Sequence, residues 1–249
     1  MTEGRLIYIL EKRIIDIKKR IEEACQRVGR DPSEVTLIAV SKTKPLQMIE
    51  NAFELGLRDF GENKVQDLSK KYDELKDKYG QTMKWHMIGH LQRTKVRQVI
   101  DKAVLIHSVD SLRLGEMIEK EAAKKNLICD ILIEVNVADE DTKFGVKENE
   151  LLELFNELIK FPHIRVRGLM TIAPYVTDSE KNRKHFSKLR QLFIDIKYKN
   201  IDNEFRDTYF NRDFFNILSM GMTGDYEVAV EEGSTMVRIG TGIFGARNY

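Results

Sequence analysis

The chain has 249 residues, of which 42% are hydrophobic and 33% charged, and its formal net charge is +1. It is long enough to bury a full core, as one large α/β domain or two small ones. Because acidic and basic residues are interleaved, the composition argues against a nucleic-acid or membrane-surface partner, whereas a small anionic ligand is compatible with it.

The first predicted element is an amphipathic helix near the N-terminus. Apolar residues recur at three-and-four spacing from Ile7 to Val28, and Gly29 with Asp31-Pro32 ends the helix. A coiled-coil dimer would use such a stripe, but packing on the same chain is the simpler interpretation. We therefore expect a monomer.

Short apolar runs then alternate with segments of helical period, which indicates a parallel sheet. The predicted strands are Val35–Val40, Arg58–Phe60, Trp85–Ile88, Val104–Ile106, Ile131–Val137, Val166–Met170, Phe215–Leu218 and Met236–Ile239. The predicted helices are Leu46–Leu55, Lys64–Lys78, Thr94–Lys102, Leu112–Lys125, Glu148–Lys160, Ser179–Tyr198 and Tyr226–Glu232. Lys197–Arg212 lacks a clear period and is predicted to be an irregular connection.

This order predicts an α/β fold, a (β/α)₈ TIM-like barrel with the N-terminal helix added to it. A doubly wound sheet would more often stop at about five to seven strands. We expect one barrel domain over residues 1–249, with its site at the carboxyl ends of the strands. That rule places these residues around one mouth: Lys42, Asn63, His86, Asn136, Thr171, Ser219 and Arg238.

Cys25 and Cys129 lie in apolar contexts without paired spacing, so we expect buried thiols rather than a disulfide or a zinc site. No apolar run approaches the ~20 residues of a membrane span, and no basic segment precedes an apolar leader. These features predict a soluble, cytoplasmic protein.

Lys42 follows the first predicted strand. Side chains alternate along a strand, so Ile38, Val40 and Lys42 share the face that points into the barrel. Burial disfavours the charged form of a lysine and raises the share of neutral amine that can attack an aldehyde. Lys44 has the same parity but precedes Pro45, so its amine should lie farther out. Two lysines extended along a barrel rim are the alternative.

A glycine turn follows the last predicted strand. The amides of Gly240 and Thr241 and the Thr241 hydroxyl can hold a phosphate, although ordinary turn geometry is the alternative. Residues 240–245 also match G-x-G-x-x-G, but no acidic residue about 20 positions later supports a dinucleotide site. Ser219 and Met220, at the end of the preceding strand, would add a second cradle beside the first.

A reactive amine and a phosphate nest together indicate pyridoxal 5'-phosphate (PLP). Arg238 shares a face with Gly240, so its guanidinium could reach the pyridine nitrogen of such a ring. A guanidinium can only donate, which would weaken the ring as an electron sink. Asn63 could bind the ring hydroxyl, or could simply form a turn.

His86 could line the mouth or be a hydrogen-bonded core residue. His86 and His90 form H-x-x-x-H, but a metal site needs both rings on one helix face, and this segment is predicted to be extended. We expect no metal. The basic cluster 92–97 is interpreted as a solvated face.

Several segments together resemble the pyridoxal phosphate homeostasis protein family, which is related to the N-terminal domain of alanine racemase. They are residues 39–45 (AVSKTKP), 60–63 (FGEN), 85–92 (WHMIGHLQ), 167–170 (RGLM), 218–222 (LSMGM) and 233–241 (GSTMVRIGT). The resemblance implies a (β/α)₈ barrel with PLP as a Schiff base on Lys42, Arg238 at the ring nitrogen, and Ser219, Gly240 and Thr241 around the phosphate. Thr94, Gly242 and a longer insertion near Asn203 depart from the family pattern.

The related racemase closes a second domain over its cofactor and uses a tyrosine from the partner subunit, and no such domain fits here. We therefore expect a PLP-binding protein of vitamin B6 and amino-acid homeostasis without robust catalysis, with apo PLP-dependent enzymes as candidate recipients. One alternative is a PLP-dependent racemase or lyase, with Lys42 and a residue such as His86 as acid and base. Another is a Schiff-base aldolase that uses Lys42 without a cofactor.

Overall fold

The computed structural model describes residues 3–140, 143–198 and 209–246. Within these ranges, eight parallel strands close into a barrel in which each strand pairs with the next and β8 pairs with β1. The strands are β1 (Thr36–Val40), β2 (Asp59–Glu62), β3 (Lys84–Met87), β4 (Ala103–Val109), β5 (Cys129–Glu134), β6 (Ile164–Met170), β7 (Ile217–Met222) and β8 (Met236–Ile239). The predicted (β/α)₈ barrel is confirmed.

Helices connect the strands and cover the outside of the barrel. They are α1 (Glu3–Arg27), α2 (Leu46–Glu54), α3 (Val65–Tyr79), α4 (Leu112–Lys125), α5 (Glu148–Leu158), α6 (Arg183–Tyr198), α7 (Tyr226–Glu231) and α8 (Thr241–Phe244). None of the helices in the described ranges combines the length and apolar character needed to cross a bilayer.

Two predicted elements differ in kind from those observed. Thr94–Lys102, predicted as a helix, is a 3₁₀ segment over Arg93–Gln98. The chain then turns at once into β4, since the N–H of Ala103 donates to the carbonyl of Val99 at 2.9 Å, so no continuous helix fits. Within the predicted irregular connection Lys197–Arg212, α6 extends through Tyr198, and residues 199–208 lie outside the described residues.

The N-terminal helix packs on its own chain, as predicted. Its buried residues keep the three-and-four spacing: Leu10, Ile14, Ile17, Ile21 and Ala24. The helix faces α7 and α8, and after it Gly29 adopts a left-handed conformation with φ of 67°. Arg30 then donates to the carbonyl of Val230 at 2.6 Å, which ties the end of the helix to the last βα unit.

The interior of the barrel has an apolar layer formed by Leu105, Leu132, Met170 and Ile217. A separate, larger core fills the space between the strands and the helices. Both cysteines are buried free thiols, and burial raises the pKa of Cys129 to about 12. Several other interior positions carry polar side chains, which form the site described below.

Gly168 in β6 has a conformation that other residues rarely adopt, with φ of 150°. A Cβ atom added there would lie 1.8 Å from the carbonyl oxygen of Ile217 in β7, so backbone would have to move. We expect Gly168→Ala to lower the free energy of unfolding by roughly 2–5 kcal/mol, measured by urea titration.

Gly224→Ala is the matched control, because a Cβ atom there meets nothing within 4 Å. Its stability should stay within about 1 kcal/mol of the wild type. Equal stabilities for the two variants would contradict the packing argument.

Candidate functional site

A cavity of about 640 Å³ opens at the carboxyl ends of the strands. Its lining includes five residues predicted from the sequence: Lys42, Asn63, Arg238, Gly240 and Thr241. The segments 172–176 after β6 and 222–225 at the end of β7 also line it. We refer to it as the mouth cavity.

Lys42 lies two residues after Val40, the last residue of β1, and both residues line the mouth cavity. The backbone turns directly after it, because the N–H of Lys44 donates to the carbonyl of Ser41 at 3.0 Å. Thr43 in this turn has φ of 64°, which is uncommon for a β-branched residue. The turn ends the strand and leaves Lys42 at the rim of the barrel interior.

Ser41, the neighbour of Lys42, is anchored on the other side of the strand. Its hydroxyl donates to Glu62 Oε1 at 2.6 Å, and Lys71 Nζ donates to the Ser41 carbonyl at 2.8 Å and to Glu62 Oε1 at 2.5 Å. Burial raises the pKa of the Glu62 carboxyl, although Lys71 opposes the shift. Since side chains alternate, this anchor fixes the direction in which Lys42 leaves the strand.

Lys44, the rival lysine, is engaged elsewhere. Its Nζ lies 3.3 Å from the carbonyl oxygen of Phe244 and 3.2 Å from that of Gly245, at the end of α8. Cations stabilise the carbonyl end of a helix in this way. Lys44 therefore joins the α8 segment to the β1 turn and is not part of the mouth lining.

Arg238 brings a buried positive charge to the floor of the mouth cavity, with 4% of its surface exposed. It donates from Nη1 to Ser219 Oγ at 2.5 Å and from Nη2 to the carbonyl of Thr171 at 2.8 Å. Burial lowers the pKa of Arg238 to about 10, while Glu134 and Asp225 oppose the shift. The guanidinium stays protonated at neutral pH and can act only as a donor.

The glycine turn after β8 lies beside the loop after β7. The N–H of Gly242 donates to Thr223 Oγ1 at 3.3 Å, and Thr223 and Gly224 share the cavity wall with Gly240 and Thr241. Two adjacent loops thus form this side of the mouth, as predicted. The second loop is residues 223–224, whereas the prediction placed it at Ser219 and Met220.

The loop begins later than predicted because β7 runs four residues beyond its predicted end at Leu218. Ser219 and Met220 are therefore strand residues, both fully buried. The Ser219 hydroxyl contacts Arg238 and His107 below the mouth, and the Met220 side chain packs in the outer core.

Asn63 presents a buried amide oxygen for which the described residues supply no hydrogen-bond partner. A buried unpaired acceptor costs about 1–3 kcal/mol, so a ligand hydroxyl that donates to it would stabilise the complex. The backbone of Asn63 is packed against Gly89, where an added Cβ would lie 2.3 Å from the Asn63 carbonyl oxygen. The backbone that carries this side chain is thus held in place at the cavity wall.

Besides Ser219, three other residues predicted at the mouth do not line it. His86 is buried in the barrel interior, where it contacts Asp59 and a second histidine. The Thr171 hydroxyl donates to the carbonyl of Val135 at 2.7 Å, and Asn136 forms a turn with Glu140. The sequence left open whether His86 lines the mouth or is a hydrogen-bonded core residue, and the structure has the second arrangement.

The model of the family described as "Alanine racemase, N-terminal domain" matches residues 15–248. A pyridoxal phosphate homeostasis protein of Aquifex aeolicus (strain VF5) is 43% identical over 96% of this chain and 98% of its own length. The chain belongs to the pyridoxal phosphate homeostasis protein family.

Solved structures of similar proteins agree with this membership. A protein of Bifidobacterium adolescentis, described as unknown, has a TM-score of 0.88 and 30% identity, and the match covers 98% of each chain. PipY of Synechococcus elongatus PCC7942, solved with PLP bound, has a TM-score of 0.75 and 30% identity, over 95% of this chain and 100% of its own. The resemblance stated from the sequence is confirmed.

In this member of the pyridoxal phosphate homeostasis protein family, sequence reasoning missed three interior polar residues. They are Asp59, His107 and Glu134. A signal was present for two of them, because His107 lies within an apolar strand and Glu134 ends one. Polar residues in such runs are seldom buried without a partner.

Glu134 lies at the end of β5 and is 4% exposed. Burial and the nearby Asp110 raise its pKa to about 7, while Arg238 opposes the shift. Since a free glutamate titrates near 4.5, the folded state binds more protons than the unfolded state between these values. Stability contributed by this residue is therefore lost as pH rises through about 4.5 to 7.

Glu134→Gln removes this titration. Relative to the wild type, the variant should gain roughly 1–3 kcal/mol of unfolding free energy between about pH 5 and about pH 8, measured by urea titration. Glu153→Gln, at an exposed position of α5, is the control and should show no such trend. A constant difference between Glu134→Gln and the wild type across this range would contradict the burial effect.

Proposed function

We propose that this chain binds PLP in the mouth cavity as a Schiff base on Lys42. The observation that carries the proposal is that Lys42, Arg238 and the turn at Gly240 and Thr241 line one cavity although they are distant in sequence. The PLP found in PipY and the names of the curated relatives support the choice of ligand. When bound, PLP supplies an aldehyde for imine formation and a ring that accepts electrons.

Each lining residue has a chemistry that suits one part of PLP. The amine of Lys42 binds the aldehyde carbon, and the unpaired Asn63 oxygen accepts from the ring hydroxyl. Arg238 donates to the ring nitrogen, and the backbone at Gly240 and Thr241 holds the phosphate. Ser219 acts on Arg238 rather than on the ligand.

We further propose a role in PLP and amino-acid homeostasis without robust catalysis. His86, the partner that the racemase or lyase alternative would place opposite Lys42, is 2% exposed and engaged with Asp59 below the mouth. Asp225 at the wall accepts from the N–H of Met222 at 2.7 Å and from Asn182 at 2.8 Å. Tyr175 at the rim is 95% exposed and so gives no cover against water.

Four further features stay proposals based on the composition, the fold and the family. The whole chain forms one PLP-binding domain, acts in the cytoplasm and is a monomer without a nucleic-acid or membrane partner. Apo PLP-dependent enzymes are the recipients of the cofactor. Transfer of PLP from the loaded protein to an apo-enzyme would support this last point directly.

Borohydride reduction followed by peptide mass spectrometry tests the attachment. The PLP adduct is expected on Lys42, and Lys42→Ala should lose both the adduct and the yellow colour because the amine is removed. Lys44→Ala is the matched control and should keep the adduct, since Lys44 contacts the α8 carbonyls instead. An adduct on Lys44 would refute the attachment to Lys42, and the absence of any adduct in the wild type would favour a cofactor-free use of Lys42.

Incubation of the loaded protein with single-enantiomer amino acids in deuterated water tests for catalysis. We expect no α-deuterium incorporation and no opposite enantiomer at rates of about 1 s⁻¹ or faster, because the described residues place no opposed, water-shielded acid and base at the mouth. Either product formed at such rates would establish the racemase or lyase alternative instead.

A further inference from the structure

A line of buried hydrogen bonds crosses the barrel interior from Arg238 to β2. It runs from Arg238 Nη1 to Ser219 Oγ (2.5 Å), on to His107 Nδ1 (2.9 Å), from His107 Nε2 to His86 Nδ1 (3.0 Å), and from His86 Nε2 to Asp59 Oδ1 (3.0 Å). Five different strands contribute one residue each. We call these five residues the interior chain.

The carboxylate at one end fixes the direction of the hydrogen bonds between neutral imidazoles. Because the Asp59 carboxylate can only accept, His86 carries its proton on Nε2, and its Nδ1 accepts from the Nε2–H of His107. His107 Nδ1 then carries no proton and accepts from the Ser219 hydroxyl.

The guanidinium at the other end is compatible with this direction. Arg238 Nη1 donates to a lone pair of Ser219 Oγ, which leaves the hydroxyl hydrogen for His107. Each neutral imidazole therefore has one tautomer compatible with all of its contacts.

His107 at the centre is neutral. It is fully buried, and burial together with the neighbouring His86 and Arg238 holds the pKa of His107 well below its usual value. A second proton on Nδ1 would also face the hydrogen of Ser219. The interior chain cannot carry protons to the mouth, because Arg238 cannot accept one, so its physical effect is orientation.

The two ends of the interior chain open on opposite ends of the barrel. Arg238 lines the mouth cavity, whereas Asp59 lines a separate cavity of about 450 Å³ beside Lys18 and Arg58. The Asp59 side chain is 15% exposed, so the carboxylate keeps contact with solvent.

We propose that His107 and His86 are positioning residues for Arg238. Their fixed tautomers hold a lone pair of Ser219 toward Nη1, while Thr171 holds Nη2, so the guanidinium plane is set before a ligand enters. The role in ligand binding rests on the proposed function, because it requires PLP in the mouth cavity. The hydrogen-bond directions themselves are independent of any ligand.

The tautomers are tested on the apo-protein by long-range ¹H–¹⁵N NMR of the imidazoles. Both His86 and His107 are expected in the Nε2–H form, and Ser219→Ala should leave both forms unchanged, because Asp59 still accepts from His86. Asp59→Asn should release both rings from a single tautomer, because an amide can donate as well as accept and so permits the reverse direction. An Nδ1–H form of His107 in the wild type would overturn the inference whether or not PLP binds.

The effect on the site is tested by PLP affinity and by the absorbance band of bound PLP. His107→Phe keeps the ring shape but removes both hydrogen bonds, and affinity should fall about tenfold with a shift of the band. His107→Asn retains an acceptor for Ser219 and should recover part of the affinity. His163→Phe, which changes a histidine paired with Glu119 away from the interior chain, is the control and should match the wild type.

The outcomes separate the two proposals. Unchanged affinity and band in His107→Phe, with the adduct still on Lys42 in the wild type, would overturn the positioning role and leave the proposed function intact. Loss of the wild-type adduct would refute the proposed function, while the apo-protein tautomers would still decide the directions. If His107→Phe does not fold, Asp59→Asn supplies the same comparison, and unchanged tautomers and affinity there would overturn the inference.

Discussion

Pairing of β8 with β1 closes the sheet, and every feature of the site depends on that closure. Leu37 lies opposite Val237 and Ala39 opposite Ile239, so the first and last strands of the chain are neighbours in the sheet. In an open sheet Lys42 and Gly240 would lie at opposite edges, whereas the closed barrel brings both to one cavity. The parallel order also directs every carboxyl end to the same face, where loops can vary without disturbing the core.

The polar half of the barrel interior follows from burying Arg238. A buried cation is tolerated when hydrogen bonds satisfy it, and Ser219 and the Thr171 carbonyl provide them, with Glu134 nearby as a countercharge. Ser219 needs an acceptor in turn, which His107 supplies. Each of these buried polar groups thus needs a further hydrogen-bond partner, and the series ends at the Asp59 carboxylate, which has access to solvent.

Lys42 and Arg238 are supported from opposite sides of the barrel wall. The backbone beside Lys42 is held from the outer layer, where Glu62 and Lys71 bind Ser41. Arg238 is held from the inner layer. Both functional groups are therefore placed by residues that do not line the mouth, which leaves the lining itself open for a ligand. Such support suits a protein that holds its ligand in one orientation.

The sequence by itself determined the element order, the inward parity of Lys42 and Arg238 and the glycine turn, because periodicity and alternation are local properties. It placed Ser219 in the loop after β7, whereas the residue lies within the strand, and it left open how deep in the barrel His86 lies. Both depend on where a strand ends relative to its neighbours, which only pairing between strands decides. The contact between His107 and Ser219, 112 residues apart, follows from closure and register, so no local pattern could show it.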